Sequence, residues 1–331
     1  MPENLDRLLR ENTSQAVKEH FWRYRKRDEI TIPKGYRIRF MGTGGNPEAT
    51  FTQTPRTAGF VLEVAGMCMY VDPGPGAVVR AHEMDFDLGS LDAVFVSHGH
   101  LDHYGGAEGV VEAMCWAMYT RRGYLLAPSN VLEAEQLVSQ YHQGALSYGG
   151  YKGGPEVISL QQHKPIKIKN VVINPVLAYH SVMNFGFVME AGGLTIGYTS
   201  DTSYISKYST PDGIKKVGPT GPIMDLVDIV EVRRDIKETF SKVDVLVANV
   251  TTHNVWAHRH ITTLGLAHLL QDSKVKLCFL THFNHSCVKP TDLRPLMAKY
   301  VEDVTGVKTV SAYDGAEHDL EALLLGVGVK K

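Results

Sequence analysis

Apolar and polar positions along this chain follow two rhythms, one helical and one alternating. From about Asn4 to Tyr24, Leu5, Leu8, Leu9, Ala16, Val17, Phe21 and Tyr24 fall at helical spacing and predict one amphipathic helix. That face can pack on its own domain or across a homodimer, and the sequence leaves both open. The helix ends in "RYRKRDE", a basic cluster among acids that reads as a solvated helix end rather than an RNA contact. "IPKG" marks a boundary, dividing an extension over 1–35 from a domain over 36–331. Short strands then dominate: "YRIRFMGTGG" runs into a glycine-rich turn, "AGFVLEVAG" and "MCMYVDPGPG" form a hairpin, and "DAVFVSHGH" is a short buried strand. "AEGVVEAMCWAMYTRRG" and "NVLEAEQLVSQYHQG" have helical character, and "YGGYKGGPE" reads as a loop whose Tyr148 and Tyr151 are incidental. A second strand-rich half carries "KNVVINPVLAYH", "FGFVMEAGGLTIGYTSD", "VDVLVANV", "VKLCFLTHF" and "VKTVSAYDG", interleaved with helices at "TTLGLAHLLQD" and "PTDLRPLMAKYVEDV". Two such halves predict two sheets packed face to face with helices outside. Residues 204–242 read as an insertion, either a lid or a plain surface connection.

Composition narrows the class without naming a reaction. With 331 residues, 44% hydrophobic and 21% charged, the chain is globular, and a net charge of -2 gives no support for a broad polyanion-binding surface. Cys68, Cys115, Cys278 and Cys287 form no CxxC pair and are expected as reduced core residues. No apolar stretch has the length of a membrane span, and "MPENLDRLLREN" lacks the apolar centre of a signal peptide, so the expected location is the cytoplasm, with no membrane partner.

The chemistry concentrates in "FVSHGHLDHYGG". His98, His100, Asp102 and His103 follow an apolar run, where side chains leaving a sheet can converge. Imidazole nitrogen and carboxylate oxygen are good zinc ligands. Further candidates close other apolar runs: His180 in "NPVLAYH", Asp201 in "TIGYTSD" and His282 in "VKLCFLTH". Asp72 in "MYVDPGPG" is placed to orient a ligand rather than bind metal itself.

With these residues in order, the sequence resembles the metallo-β-lactamase superfamily over roughly Tyr36 to Gly315. The resemblance implies an α/β fold, a four-layer αββα sandwich, here with an N-terminal helical extension. It also implies two metal ions per chain: His98, His100 and His180 on one, Asp102, His103 and His282 on the other, and Asp201 between them. Zinc suits this set, and manganese and iron fit similar sites. Two such ions acidify a bridging water and supply hydroxide, so hydrolysis is the expected reaction, with Asp102 also orienting the nucleophile.

Within the superfamily, "FMGTGG", "DPGPG", "GYTSDT" and "LTHF" resemble the RNase Z-like and phosphodiesterase branch. His260 and Thr262 in "AHRHITT" are similar to its His-x-Thr element, which implies for His260 the role of protonating a leaving group or stabilising the transition state. His253 and His258 read as loop residues. Only 21 positions separate His180 from Asp201, which leaves no room there for the tRNA-gripping arm often found in tRNA-processing RNase Z enzymes. The expected substrate is therefore a small nucleotide or short RNA or DNA phosphodiester; a tRNA 3'-processing ribonuclease and a lactonase or other ester hydrolase are the alternatives. Arg56, Asn184, Tyr104 and Asn284 are expected substrate contacts, because they neighbour the ligand loops.

Overall fold

The computed structural model describes residues 2–25, 35–145, 152–218, 223, 225–254 and 259–326, so the expectations for Tyr148, Tyr151 and His258 lie outside the described residues. The N-terminal helix is present as α1 (Pro2–Arg25), and Leu5, Leu8, Leu9 and Val17 on it are exposed. The sandwich begins with β1 (Arg37–Phe40), β2 (Phe60–Val64), β3 (Met67–Val71), β4 (Ala93–Phe95), β5 (Arg121–Ala127) and β6 (Gly154–Ser159), which form the first sheet. A second sheet starts with β7 (Ile166–Ile168), β8 (Val171–Leu177), β9 (Phe185–Ala191) and β10 (Leu194–Tyr198). The chain then builds a separate small sheet from β11 (Ile205–Thr210), β12 (Gly213–Lys216) and β13 (Asp228–Val232). It returns to the second sheet with β14 (Val245–Asn249), β15 (Leu277–Thr281) and β16 (Lys308–Ser311), and closes the first with β17 (Glu317–Asp319) beside β1.

Three apolar clusters hold four layers together. The inner faces of both sheets meet in the central core, where Phe60 and Tyr198 pack edge to face at 5.2 Å and Phe95 and Phe187 at 5.1 Å between ring centroids. Ala77, Ala81, Val110, Val111 and Met114, from helices at Ala77–Glu83 and Ala107–Met114, cover the outer face of the first sheet. Ile236, Phe240, Leu266, Leu269 and Val301, from helices at Arg234–Phe240, Thr263–Leu270 and Arg294–Thr305, cover the second. All four cysteines are free and buried, as their apolar surroundings predict. Among the described residues no helix is long and apolar enough to cross a membrane.

Strand direction explains why the candidate ligands meet. β3, β4, β5 and β6 run parallel, and so do β10, β14, β15 and β16. β8 is antiparallel to β9, which is antiparallel to β10, so β8 points the same way as β10. The carboxyl ends of β8, β10, β14 and β15 therefore share one edge, as do those of β3 and β4, and the polar residues that close these apolar runs are delivered there together.

Several expectations change. "NVLEAEQLVSQYHQG" holds a single wide turn at Asn130–Ala134, not a helix; Gln143 Nε2 donates to the carbonyls of Leu132 and Val138 and closes the segment as a compact loop. The helix after the histidine loop stops at Met114, because Trp116, Ala117 and Met118 turn left-handed before β5. β6, β7 and β17 were not legible as separate strands. In 204–242, the ambiguous "DLVDIVEVRRDIKETFS" resolves into β13 followed by the helix at Arg234–Phe240. Tyr204, Ile205, Ile236 and Phe240 bury into the outer core of the second sheet.

Candidate metal centre

The loop after β4 folds back at once: His103 N–H and Tyr104 N–H both donate to the His100 carbonyl, opening the short helix at Leu101–Tyr104. This tight turn lets four side chains of one loop point into a single space. Their partners arrive across the sandwich, in two principal groups, His98, His100, His180 and Asp201, and Asp102, His103 and His282, overlapped by a third of Asp201, His260 and His282, with the ligand atoms of each group within 4.8 Å of one another. His98 Nε2 lies 3.0 Å from His100 Nδ1, His180 Nε2 3.1 Å from the same atom, and His103 Nε2 3.1 Å from His282 Nε2. Asp201 faces both groups, with Oδ2 3.8 Å from His98 Nε2 and Oδ1 3.2 Å from His282 Nε2.

The outward ring nitrogens explain what this arrangement is for. Asp72 Oδ2 takes His103 Nδ1 at 2.8 Å, the Arg259 carbonyl takes His180 Nδ1 at 3.0 Å, and Ser97 Oγ lies 2.9 Å from His98 Nδ1. A proton on Nδ1 of His98 and His180 leaves each Nε2 as a lone pair aimed inward. Lone pairs converging at about 3 Å on His98, His100 and His180 repel unless a cation lies among them, so the donor set fits divalent metal ions and supports metal binding. Burial holds His98 and His100 below the ordinary histidine value and His180 down at about 4, which keeps these nitrogens unprotonated at neutral pH. Burial alone would raise Asp201, but His282, His103 and His260 hold it well below the carboxylate range; Asp102 is likewise held low against burial by His103 and His282. Burial opposes a charge on His103, yet Asp201, Asp102 and Asp72 together raise it well above the usual value.

Asp72 sits behind His103, against the outward nitrogen of that ring. Its Oδ1 accepts from Ser97 N–H at 2.7 Å, and its Oδ2 accepts from Ser97 Oγ at 2.8 Å and Tyr198 OH at 2.5 Å as well as facing His103. Tyr198 OH also accepts from Asn249 Nδ2, which donates in turn to Asp201 Oδ1 at 2.9 Å. Tyr198, Ser97, Asn249 and Arg259 were missed from sequence. Asn249 had a signal, since it closes the apolar run "VDVLVAN" just as His180 and His282 close theirs. Asp72, Ser200 and His282 adopt left-handed backbone at φ of 50°, 51° and 64°; such strain in non-glycine residues is held by the packing around a site.

A cavity of about 600 Å³ opens onto the cluster, lined by His100, Asp102, His180, Asp201, His260 and Asn284, by Arg259, and by Asn46, Pro47, Glu48, Thr50, Phe51 and Leu101 on its outer side. His260 is buried at its floor, with Nδ1 3.7 Å from Asp201 Oδ2 and no hydrogen-bond partner. No described residue of 204–242 lines the cavity. Of the expected substrate contacts, Asn284 lines it, while Arg56, Tyr104 and Asn184 do not. The Arg56 guanidinium pairs with Glu83 at 2.7 Å, Tyr104 packs against the outer core of the first sheet, and Asn184 is fully buried, donating to the Asp201 carbonyl and accepting from Ser200. Sequence proximity to the ligand loops had stood in for direction. His253 is exposed, with its ring against Tyr300.

"GTGG" serves close packing. A Cβ on Gly45 would lie 2.2 Å from His282 Nε2. Gly45→Ala is therefore expected to push His282 out of its group and weaken metal binding by roughly 10–100-fold, read by metal analysis after dialysis against graded chelator. Wild-type metal retention in that variant would refute this packing role.

A helix-sheet-sheet-helix sandwich with a histidine and aspartate cluster at one edge of its paired sheets defines a metallo-hydrolase. The chain belongs to the metallo-β-lactamase superfamily of hydrolases, in its RNase Z-like branch: the family profile described as the β-lactamase superfamily domain matches residues 69–283. It is 30% identical over 289 residues to the uncharacterized protein MJ1374 of Methanocaldococcus jannaschii, covering 86% of this chain and 94% of that one. It is 24% identical to the ribonuclease Z of Methanosarcina mazei over 46% of this chain and 47% of that enzyme. The metallo-β-lactamase fold protein YhfI of Bacillus subtilis shares the architecture at 17% identity, with a TM-score of 0.62 over 86% of this chain and 99% of that one.

Proposed function

We propose that this protein is a dinuclear metal-dependent phosphodiesterase that acts on a small nucleotide or a short RNA or DNA phosphodiester, with two zinc ions per chain. The observation that carries this reading is His260, a buried imidazole lining the cavity with an uncommitted nitrogen 3.7 Å from Asp201 Oδ2, in the His-x-Thr position that the resemblance assigns to the leaving group. Bound divalent ions would supply Lewis acidity and an acidified water near neutral pH. Asp102, whose Oδ2 accepts from Asn46 N–H at 2.8 Å, borders the cavity and orients that water. His260 faces the departing oxygen. Burial pushes it down to about 3, with Asp201 opposing, so it is neutral in the resting site and offers a single N–H. That N–H can hydrogen-bond the departing oxygen and stabilise the negative charge developing on it, while the proton the oxygen finally takes comes from water. Thr262 holds the geometry from behind: its hydroxyl accepts from Gly265 N–H and caps the helix at Thr263–Leu270, while Ile261 pairs with Val250.

The ribonuclease Z match supports phosphodiester chemistry. Between His180 and Asp201 the chain forms only the β9–β10 hairpin, turned at Gly192 and Gly193, which supports a substrate smaller than tRNA. The test is hydrolysis of bis(p-nitrophenyl) phosphate by protein of measured metal content, beside cyclic-nucleotide, pre-tRNA and lactone panels. His260→Ala is expected to lose roughly 10²–10⁴-fold in rate with its metals retained. Fully metallated protein that ignores phosphodiesters and opens lactones would replace this reading with an ester hydrolase.

A further inference from the structure

We propose that Arg259 is a specificity-determining residue of this cavity, whose guanidinium holds a non-bridging oxygen of the substrate phosphate. The inference rests on the phosphodiesterase reading and adds to it a residue outside the metal-ligand set. Arg259 lines the cavity, and among the described lining residues it carries the one fixed positive charge. Its Nε is buried without a hydrogen-bond partner, and among the described residues no carboxylate pairs with it. Other arginines near the sandwich edge lie elsewhere: Arg56 and Arg80 pair with Glu83, Arg294 pairs with Asp292, and Arg233, whose Nε is likewise buried without a partner, stacks on the face of Tyr179 outside the cavity lining. A buried guanidinium nitrogen left unpaired costs stability, and structures retain such a group where a ligand completes it.

Backbone geometry fixes where this charge lies. The Arg259 carbonyl meets His180 Nδ1 at 3.0 Å, and the next residue is His260, so the backbone that carries the guanidinium is held between His180 and His260. Its charge reaches His100, where it is among the influences that disfavour protonation. A planar fork matches two oxygens of a tetrahedral anion, a recognition that a lysine cannot reproduce. The cavity lining also includes Pro47, Leu101 and a Phe51 side chain that is 74% exposed, so an organic group attached to that phosphate has apolar surface to pack on.

The experiment measures binding of inorganic phosphate to the metal-loaded full chain by calorimetry, for wild type, Arg259→Gln and Arg259→Lys, with metal content determined on each. The expected result is phosphate binding by wild type, weakened roughly tenfold to a hundredfold in Arg259→Gln and less in Arg259→Lys, with metal content unchanged. Equal phosphate affinity in all three proteins overturns the proposal, and so does wild type that binds no phosphate. Because phosphate binding is read independently of hydrolysis, wild type that binds phosphate through Arg259 but cleaves no phosphodiester would sink the phosphodiesterase reading while leaving this anion site standing.

Discussion

Asp201→Ala is expected to lower hydrolysis of bis(p-nitrophenyl) phosphate by roughly a thousandfold or more and to strip divalent ions from the cluster. Asp201 is the carboxylate common to the histidines of both groups, lying 3.4 Å from His103 Nε2, 3.7 Å from His180 Nε2 and 3.2 Å from His282 Nε2. Without it, imidazoles from both sheets converge with no negative charge between them, and divalent cations bound there would lose a carboxylate that offsets their charge. Asp201→Asn separates charge from shape: it is nearly isosteric, can keep an oxygen for Asn249 Nδ2, and is expected to lose metal nonetheless. Elemental analysis of both variants decides the matter without reference to any substrate. Full metal occupancy in Asp201→Asn would show that the shape of this residue, not its charge, is what the cluster needs.

The second large effect falls on stability. Asp72→Ala is expected to destabilise the fold by about 3–5 kcal/mol, read as a lower denaturant midpoint, and to weaken metal binding by roughly 10–100-fold. Asp72 is buried and receives Ser97 N–H, Ser97 OH and Tyr198 OH while facing His103 Nδ1; Tyr198 lies on the opposite sheet. Alanine leaves those groups facing an apolar cavity with no acceptor and frees the ring of His103 to rotate. Asp72→Asn is expected to fall between the two, since one of its two acceptor oxygens becomes a donor facing donors. A variant as stable as wild type would mean that water replaces the carboxylate without cost.

The residues that close apolar runs were legible because their signal is local. A strand buried on both faces reads as an uninterrupted apolar segment, so a histidine or aspartate at its end stands out, as His98, His180, Asp201 and His282 do. That they share one edge needed only the rule that parallel strands end together, and the resemblance already implied the sandwich. Short or irregular elements were less readable: β7 and β17 have three residues each, too few for alternation to register.

What the sequence by itself determined was the order of strands and helices, the burial of the cysteines, and the residues gathered in the histidine and aspartate cluster. Only the tertiary structure decided what surrounds that cluster. Tyr198 reaches Asp72 across 126 positions, Gly45 makes room for His282, Asn184 turns inward to the Asp201 carbonyl, and Arg259 remains unpaired in the cavity while Arg56 spends its charge on Glu83. These facts depend on which strand lies opposite which and on where a side chain can turn once both sheets are packed. Periodicity along a chain records which face of an element is buried, and it carries no record of what that face will meet.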